Sequence, residues 1–160
     1  MGIFDRSSAG YESAPVEVTV ERGPIAFFAE TIGETNPIHF DVDAARAAGH
    51  PDVMAPATYP VVLDMAASKE GARKGQKDLL GLIAADMRYL LHGTENYTYS
   101  GPIYAGETVE IISRIKGFSD AKGGALEIAQ LEMEIRHPDR GTLAIATRDL
   151  IHRLPKEAQS

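Results

Sequence analysis

The sequence predicts an α+β domain in which an antiparallel sheet wraps around one long helix. Helical patterns predominate in the first half of the 160 residues, and strand patterns predominate in the second half. One short strand, a helix whose first half is apolar nearly all round, and then an antiparallel meander give this arrangement, because such a helix is buried. We expect a flexible segment over residues 1–13, one domain over residues 14–153 and a C-terminal tail over residues 154–160.

A strand and a helix open the domain. Over residues 16–20 valine alternates with polar side chains, which is typical of a short half-buried strand. A helix is predicted over residues 25–32, because Pro24 suits a first helical turn and Gly33 suits the C-terminal cap.

A loop and the central helix follow. Residues 34–41 are predicted to form an ordered loop and residues 44–48 a short helix. The central helix is predicted over residues 61–67, with Thr58 as its N-cap and Pro60 in its first turn.

From about Thr94 the pattern is that of strands joined by turns. Apolar and polar side chains alternate over residues 109–116 and 131–136, as in antiparallel strands with one buried face. Two hairpin loops and a last long strand are predicted at residues 119–124, 138–141 and 142–153.

Charge and cysteine content exclude several functions. Sixteen Lys and Arg against twenty-three Asp and Glu give a net charge of −7, which argues against nucleic acid or an anionic membrane as partner. The chain has no cysteine for disulfides or thiolate chemistry, and no apolar signal core or membrane-length run, so we expect a cytoplasmic protein. The basic stretch 73–77 is either a solvated loop or a landing site for a phosphorylated carrier such as coenzyme A.

The segment from Gly33 to His39 carries the clearest chemical signal. It places the carboxylate of Glu34 five residues before the imidazole of His39, with the rigid Asn36-Pro37 turn between them. Such a pair can share acid–base steps near neutral pH, for example in adding water to an activated double bond. The same residues also fit a solvated carboxylate after a helix and a turn histidine bonded to the backbone.

The residues around this segment resemble a family signature. MaoC-like (R)-specific enoyl-CoA hydratases and 3-hydroxyacyl dehydratases carry a motif similar to Phe28-Ala-Glu-Thr-Ile-Gly-Glu-Thr-Asn-Pro-Ile-His39 followed by Asp43-Ala-Ala-Arg-Ala-Ala-Gly49. Further segments resemble most closely the FAS1-like dehydratase branch, or MaoC N-terminal domain: Ala55-Pro-Ala-Thr-Tyr59, Leu91-His-Gly93 and Ala105-Gly-Glu-Thr-Val109. The resemblance covers residues 14–153 and implies a hot-dog fold.

The resemblance also implies a set of site residues. His39 stands at the family's catalytic His, and Glu34 stands where the family has its catalytic Asp, with Asn36 and Pro37 shaping the loop. Because Glu is one methylene longer than Asp, two alternatives stay open: the loop has adjusted to Glu34, or Glu34 is not the base.

The family also binds the thioester oxygen with a backbone amide at the start of the central helix. By resemblance, the amides of Ala57 and Thr58 take this role, although the Gly that the family has there is absent.

Three functions are left open by the sequence. The first is reversible hydration of a trans-2-enoyl thioester, on coenzyme A or an acyl carrier protein, with no metal or redox cofactor. The second is a non-catalytic subunit that binds the acyl chain beside an active partner. The third is a thioesterase that uses Asp64, since hot-dog thioesterases place a carboxylate on the central helix.

Two further expectations concern assembly and the remaining polar residues. We expect a dimer, with a second copy or a related hot-dog subunit, because a lone sheet leaves exposed edges and a half-open acyl groove. No metal-ligand spacing links the other histidines, His50, His92, His137 and His152. Three tyrosines are most simply sheet residues, with a pocket role as the alternative: Tyr97, Tyr99 and Tyr104.

Overall fold

The computed structural model describes residues 2–154. It has five strands: β1 (Val16–Thr19), β2 (Leu90–Tyr99), β3 (Thr108–Ala121), β4 (Leu126–His137) and β5 (Gly141–Arg153). Its α-helices are α1 (Arg22–Thr31), α2 (Val42–Ala47), α3 (Pro60–Arg73) and α4 (Leu79–Leu82). Single 3₁₀ turns lie at Arg6–Ser8, Pro37–His39 and Lys122–Gly124.

The strands form one antiparallel sheet in the order β1-β3-β4-β5-β2. The central helix α3 packs across one face of this sheet, where Leu63 and Ala67 join the core with Ile111, Ile135 and Ala146. The predicted α+β class is therefore confirmed. The ten-residue strand β2 forms one edge of the sheet, and the four-residue strand β1 forms the other.

The N-terminal segment differs from its prediction. Residues 2–13, expected to be flexible, pack against the sheet, because Phe4 is buried in a second apolar cluster with Ile83 and Leu150. The Asp5 amide donates to the Ile83 carbonyl at 2.9 Å, and Glu12 bridges to β3. Of the predicted tail, Leu154 is buried, and residues 155–160 lie outside the described residues.

Several predicted boundaries shift. Strand β2 begins at Leu90 rather than near Thr94, because Leu90 and His92 already pair with β5 before a β-bulge interrupts the register. Helix α3 continues to Arg73, well past the predicted residue 67. Its basic end is an exposed helix terminus where Glu70 pairs with Arg73 and Lys74 at 3.5 and 3.7 Å.

Thr58 is not the N-cap of α3, so that prediction is wrong. The N-cap is Tyr59, which has helical backbone angles and makes no side-chain capping bond. A turn closed by the Tyr59 amide on the Pro56 carbonyl, at 2.9 Å, already precedes the helix. Thr58 lies inside this turn, one residue before the cap, and its side chain makes no capping bond to the helix.

Candidate active site

The loop after α1 is held by local backbone and side-chain bonds. Gly33 adopts a positive φ of 77°, which ends the helix at a position that favours glycine. The Glu34 amide then donates to the Ala29 carbonyl at 2.8 Å. The Asn36 side chain accepts a hydrogen bond from the Ile38 amide at 3.3 Å and so caps the 3₁₀ turn that carries His39. The loop thus presents Glu34 and His39 from a fixed backbone.

His39 is buried and oriented by a single carbonyl. Its Nδ1 lies 2.6 Å from the Met54 carbonyl oxygen, and its side chain is 7% exposed. A carbonyl oxygen only accepts, so Nδ1 must carry a proton. In the neutral ring the lone pair therefore lies on Nε2, which faces Glu34.

One carboxylate oxygen of Glu34 faces His39 Nε2, and the other faces the backbone of its own loop. Its Oε2 lies 4.0 Å from His39 Nε2. Its Oε1 accepts from the amides of Thr35 and Asn36, at 3.1 and 3.4 Å. The side chain thus folds back onto its own loop, which shortens the reach that the extra methylene would give it. This geometry favours the alternative in which the loop has adjusted to Glu34.

Both side chains line an open cleft of about 580 Å³. Its other walls come from the segment before α3, including Met54 and Ala57, and from the end of β2 and the residues after it, including Tyr99. The cleft therefore brings the sequence-predicted pair together with the start of the central helix, as the family resemblance implies.

The turn over residues 56–60, here called the 56–60 turn, supplies the candidate thioester donors. Ala57 lines the cleft, whereas Thr58 is not part of its wall. Within residues 2–154 neither amide donates a hydrogen bond to another group of the chain. The geometry thus favours Ala57 over Thr58 as the donor to a bound oxygen.

Asp64 lies apart from the cleft and is already paired. Its Oδ2 accepts from Arg148 at 2.7 Å, and the same guanidinium reaches Glu95 at 3.3 Å. Tyr97 donates to Glu95 at 2.6 Å. The carboxylate proposed for a thioesterase therefore belongs to an ion-pair network between α3, β5 and β2.

The remaining histidines do not assemble a metal site in the described part of the chain, where no three metal-binding side chains cluster. His50 contacts the Tyr104 hydroxyl at 3.2 Å, and His92 lies 3.0 Å from Glu95. His152 is fully buried 3.9 Å from Glu127, a buried Glu–His pair that the sequence did not reveal. No helix in residues 2–154 is long and apolar enough to cross a membrane.

The chain is similar to known proteins over most of its length. The model of the FAS1-like dehydratase domain region matches residues 7–143. A UPF0336 protein of Streptomyces griseus is 33% identical over 157 residues, or 97% of this chain and 99% of that protein.

Two solved complexes from Mycobacterium tuberculosis share the fold. A chain of the ChsH1–ChsH2 complex has a TM-score of 0.72 and 23% identity, covering 95% of this chain and 93% of that one. A chain of the HadBC (3R-hydroxyacyl-ACP dehydratase) complex has a TM-score of 0.71 and 18% identity, covering 90% and 96%.

These likenesses and the sheet packed around α3 define a hot-dog protein, as predicted. Within that fold, the chain belongs to the FAS1-like dehydratase domain family, as its sequence resemblance implied. The catalytic roles of Glu34, His39, Ala57 and Thr58 stay predictions.

Proposed function

We propose that the chain catalyses the reversible hydration of a trans-2-enoyl thioester to an (R)-3-hydroxyacyl thioester, with Glu34 and His39 as the acid–base pair. The observation that carries this proposal is the fixed orientation of the His39 ring. Its Nδ1 is committed to the Met54 carbonyl, so the basic Nε2 faces Glu34 at 4.0 Å on the wall of the cleft. A buried and oriented base of this kind is what activation of one water requires.

The chemistry follows from these positions. His39 Nε2 takes a proton from water while the water oxygen bonds to C3 of the enoyl group, and electron density moves to the thioester oxygen. The Ala57 amide holds that oxygen, aided by the N-terminus of α3. Glu34 orients the water and balances the charge on the imidazolium.

The second half of the reaction returns the proton. The pair delivers it to C2 as the thioester carbonyl re-forms, so the net reaction adds one water and leaves the pair in its starting state. The reaction consumes only the enoyl thioester and water, and it needs no metal or redox cofactor. The carrier is coenzyme A or an acyl carrier protein, and a cytoplasmic location fits either.

A turnover assay of the purified chain tests this function. Short, medium and aromatic trans-2-enoyl-CoA substrates are offered, and loss of the conjugated double bond, the configuration of the product and free thiol are all measured. We expect an (R)-3-hydroxyacyl product and no free thiol. Thiol release that is lost in Asp64→Asn would instead show the thioesterase.

A second candidate function is an acyl-binding subunit of a two-chain dehydratase. The open cleft supports a partner chain in either function, because its wall at Tyr99 ends on the edge strand β2, whose outer side has no strand partner within residues 2–154. The HadBC and ChsH1–ChsH2 structures are complexes of two named proteins. In both proposals a second hot-dog chain, identical or related, closes the cleft.

Sedimentation of the purified chain tests whether it assembles with a second hot-dog chain. We expect a homodimer if the chain is the enzyme, since an exposed ten-residue edge strand favours pairing. An active, well-behaved monomer would contradict the need for a partner.

A further inference from the structure

The 56–60 turn contains a carbonyl that its own backbone leaves unpaired. The Pro56 carbonyl accepts from Tyr59 at 2.9 Å, and the Thr58 carbonyl accepts from Val61 at 3.3 Å. Between them, the Ala57 carbonyl would take the amide three residues on, but that residue is Pro60, which has no N–H. Within residues 2–154 no backbone amide donates to Ala57.

Tyr99 supplies the missing donor from another element. Its hydroxyl donates to the Ala57 carbonyl across 42 positions of the sequence. Tyr99 is the last residue of β2, and its ring stacks on that of Tyr97 with centroids 6.0 Å apart and planes 20° apart. The turn before α3 is therefore fastened to the end of the edge strand.

The hydrogen bond from Tyr99 fixes the direction of the Thr58 amide as well as that of the Ala57 carbonyl. The Ala57 C=O and the Thr58 N–H belong to one planar trans peptide and point in opposite directions. The preceding peptide is fixed in turn, because the Pro56 carbonyl is bound by Tyr59 and the Ala57 N–H points the opposite way. The two peptides that carry the candidate donors are thus each held through their carbonyls.

We propose that Tyr99 is a positioning residue for the thioester oxygen, because its hydroxyl holds the peptide that follows the Ala57 amide and so keeps the 56–60 turn in the orientation that aims this amide into the cleft. This inference rests on the proposed hydration. It explains why the turn works without the Gly that the family resemblance led us to expect: a tyrosine bond, and not backbone freedom, sets the geometry.

The test compares Tyr99→Phe with Tyr97→Phe. Each variant removes one hydroxyl from the same stacked pair, and only the first removes the bond to Ala57. Because the charge on the thioester oxygen develops in the transition state, Tyr99→Phe should lower kcat about 10-fold, less than loss of a whole oxyanion donor, and change KM less than about 3-fold. Tyr97→Phe should keep both constants within about 3-fold of the wild type.

A wild-type kcat in Tyr99→Phe, or an equal loss in Tyr97→Phe, would overturn the proposal. A second readout separates this failure from failure of the hydration itself. Exchange of the Tyr59 amide, which donates to Pro56 across the same turn, should be faster in Tyr99→Phe than in the wild type or Tyr97→Phe. If the wild type proves inactive, equal exchange in all three proteins still refutes the anchor, and faster exchange in Tyr99→Phe alone still supports it.

Discussion

Two of the Glu–His pairs in this fold, Glu34–His39 and Glu127–His152, have almost the same separation and opposite surroundings. Glu34 and His39 lie 4.0 Å apart on the wall of an open cleft, whereas Glu127 and His152 lie 3.9 Å apart with both side chains essentially unexposed. In the first pair the free ring nitrogen faces a cavity that admits water. In the second, the Asp86 amide donates to His152 Nε2 at 2.9 Å, and Phe4 stacks on the ring with centroids 3.8 Å apart.

The difference indicates that access to the cleft, and not the pairing of residue types, makes Glu34 and His39 the candidate pair for catalysis. His152 Nε2 accepts from an amide, so the neutral ring carries its proton on Nδ1, toward Glu127. Glu127 in turn accepts from the Ile3 and Phe4 amides at 2.6 and 3.3 Å. The buried pair therefore fastens the N-terminal segment to the sheet.

His39→Ala should separate the two pairs most strongly. We expect turnover to fall about 10²–10⁴-fold, because a general acid–base group is lost, while the fold persists. Steady-state kinetics and a thermal melt of the same sample measure both. Wild-type turnover in this variant would return His39 to the role of a backbone-bonded turn residue.

Substitutions at Glu34 test whether its carboxylate and the His39 imidazole act together. Glu34→Gln should reduce turnover about 10²-fold, since the amide cannot balance the imidazolium, and Glu34→Asp should cost about 10-fold by shifting the carboxylate. The kcat values of both variants check this. If Glu34→Gln retains full activity in an active enzyme, His39 works without its neighbour.

His152→Ala should affect stability and not chemistry. Removing a fully buried ring leaves a cavity beside Phe4 and an unpaired Asp86 amide, at a cost of about 2–4 kcal/mol. Urea unfolding measures the loss, and kcat of the folded fraction should be unchanged. A variant with wild-type stability would contradict the structural role of the buried pair.

The pH dependence of stability should also follow the buried pair. Burial lowers the pKa of His152, against the opposing pull of Glu127 and Asp86. Because the unfolded chain then binds a proton more readily than the folded one, stability is complete above the ordinary His pKa of about 6.5 and falls as the pH drops below it. Urea unfolding at several pH values should show this slope in the wild type and a smaller one in His152→Gln.

The fold class and the cleft pair could be predicted from the sequence because both depend on patterns among residues that are close together in the chain. Alternating apolar residues in β3 and β4 mark their buried faces, and Glu34 and His39 lie on one short loop. The Met54 carbonyl that sets the His39 tautomer lies fifteen positions away, and no periodic pattern in the sequence predicts such a contact.

Three of the missed features, the packing of Phe4, the Glu127–His152 pair and the Tyr99 bond, depend on contacts between residues that are distant in the sequence. Burial of Phe4 requires β5 and the segment before β2, and the Glu127–His152 pair forms only when β4 and β5 align. One local signal could have indicated the Tyr99 bond. Pro60 leaves the Ala57 carbonyl without its backbone donor, which predicts some partner from outside the turn without saying which one.

The proposed hydration requires that the cleft pair of this chain is itself catalytic. The most direct test measures turnover of a trans-2-enoyl-CoA by the purified wild type and Glu34→Gln, each alone and each mixed with a second hot-dog chain. We expect the wild type alone to be active and Glu34→Gln alone to be about 10²-fold less active. An inactive wild type that gains turnover on mixing, and does so equally with Glu34→Gln, would contradict this expectation and assign the chain to the acyl-binding subunits.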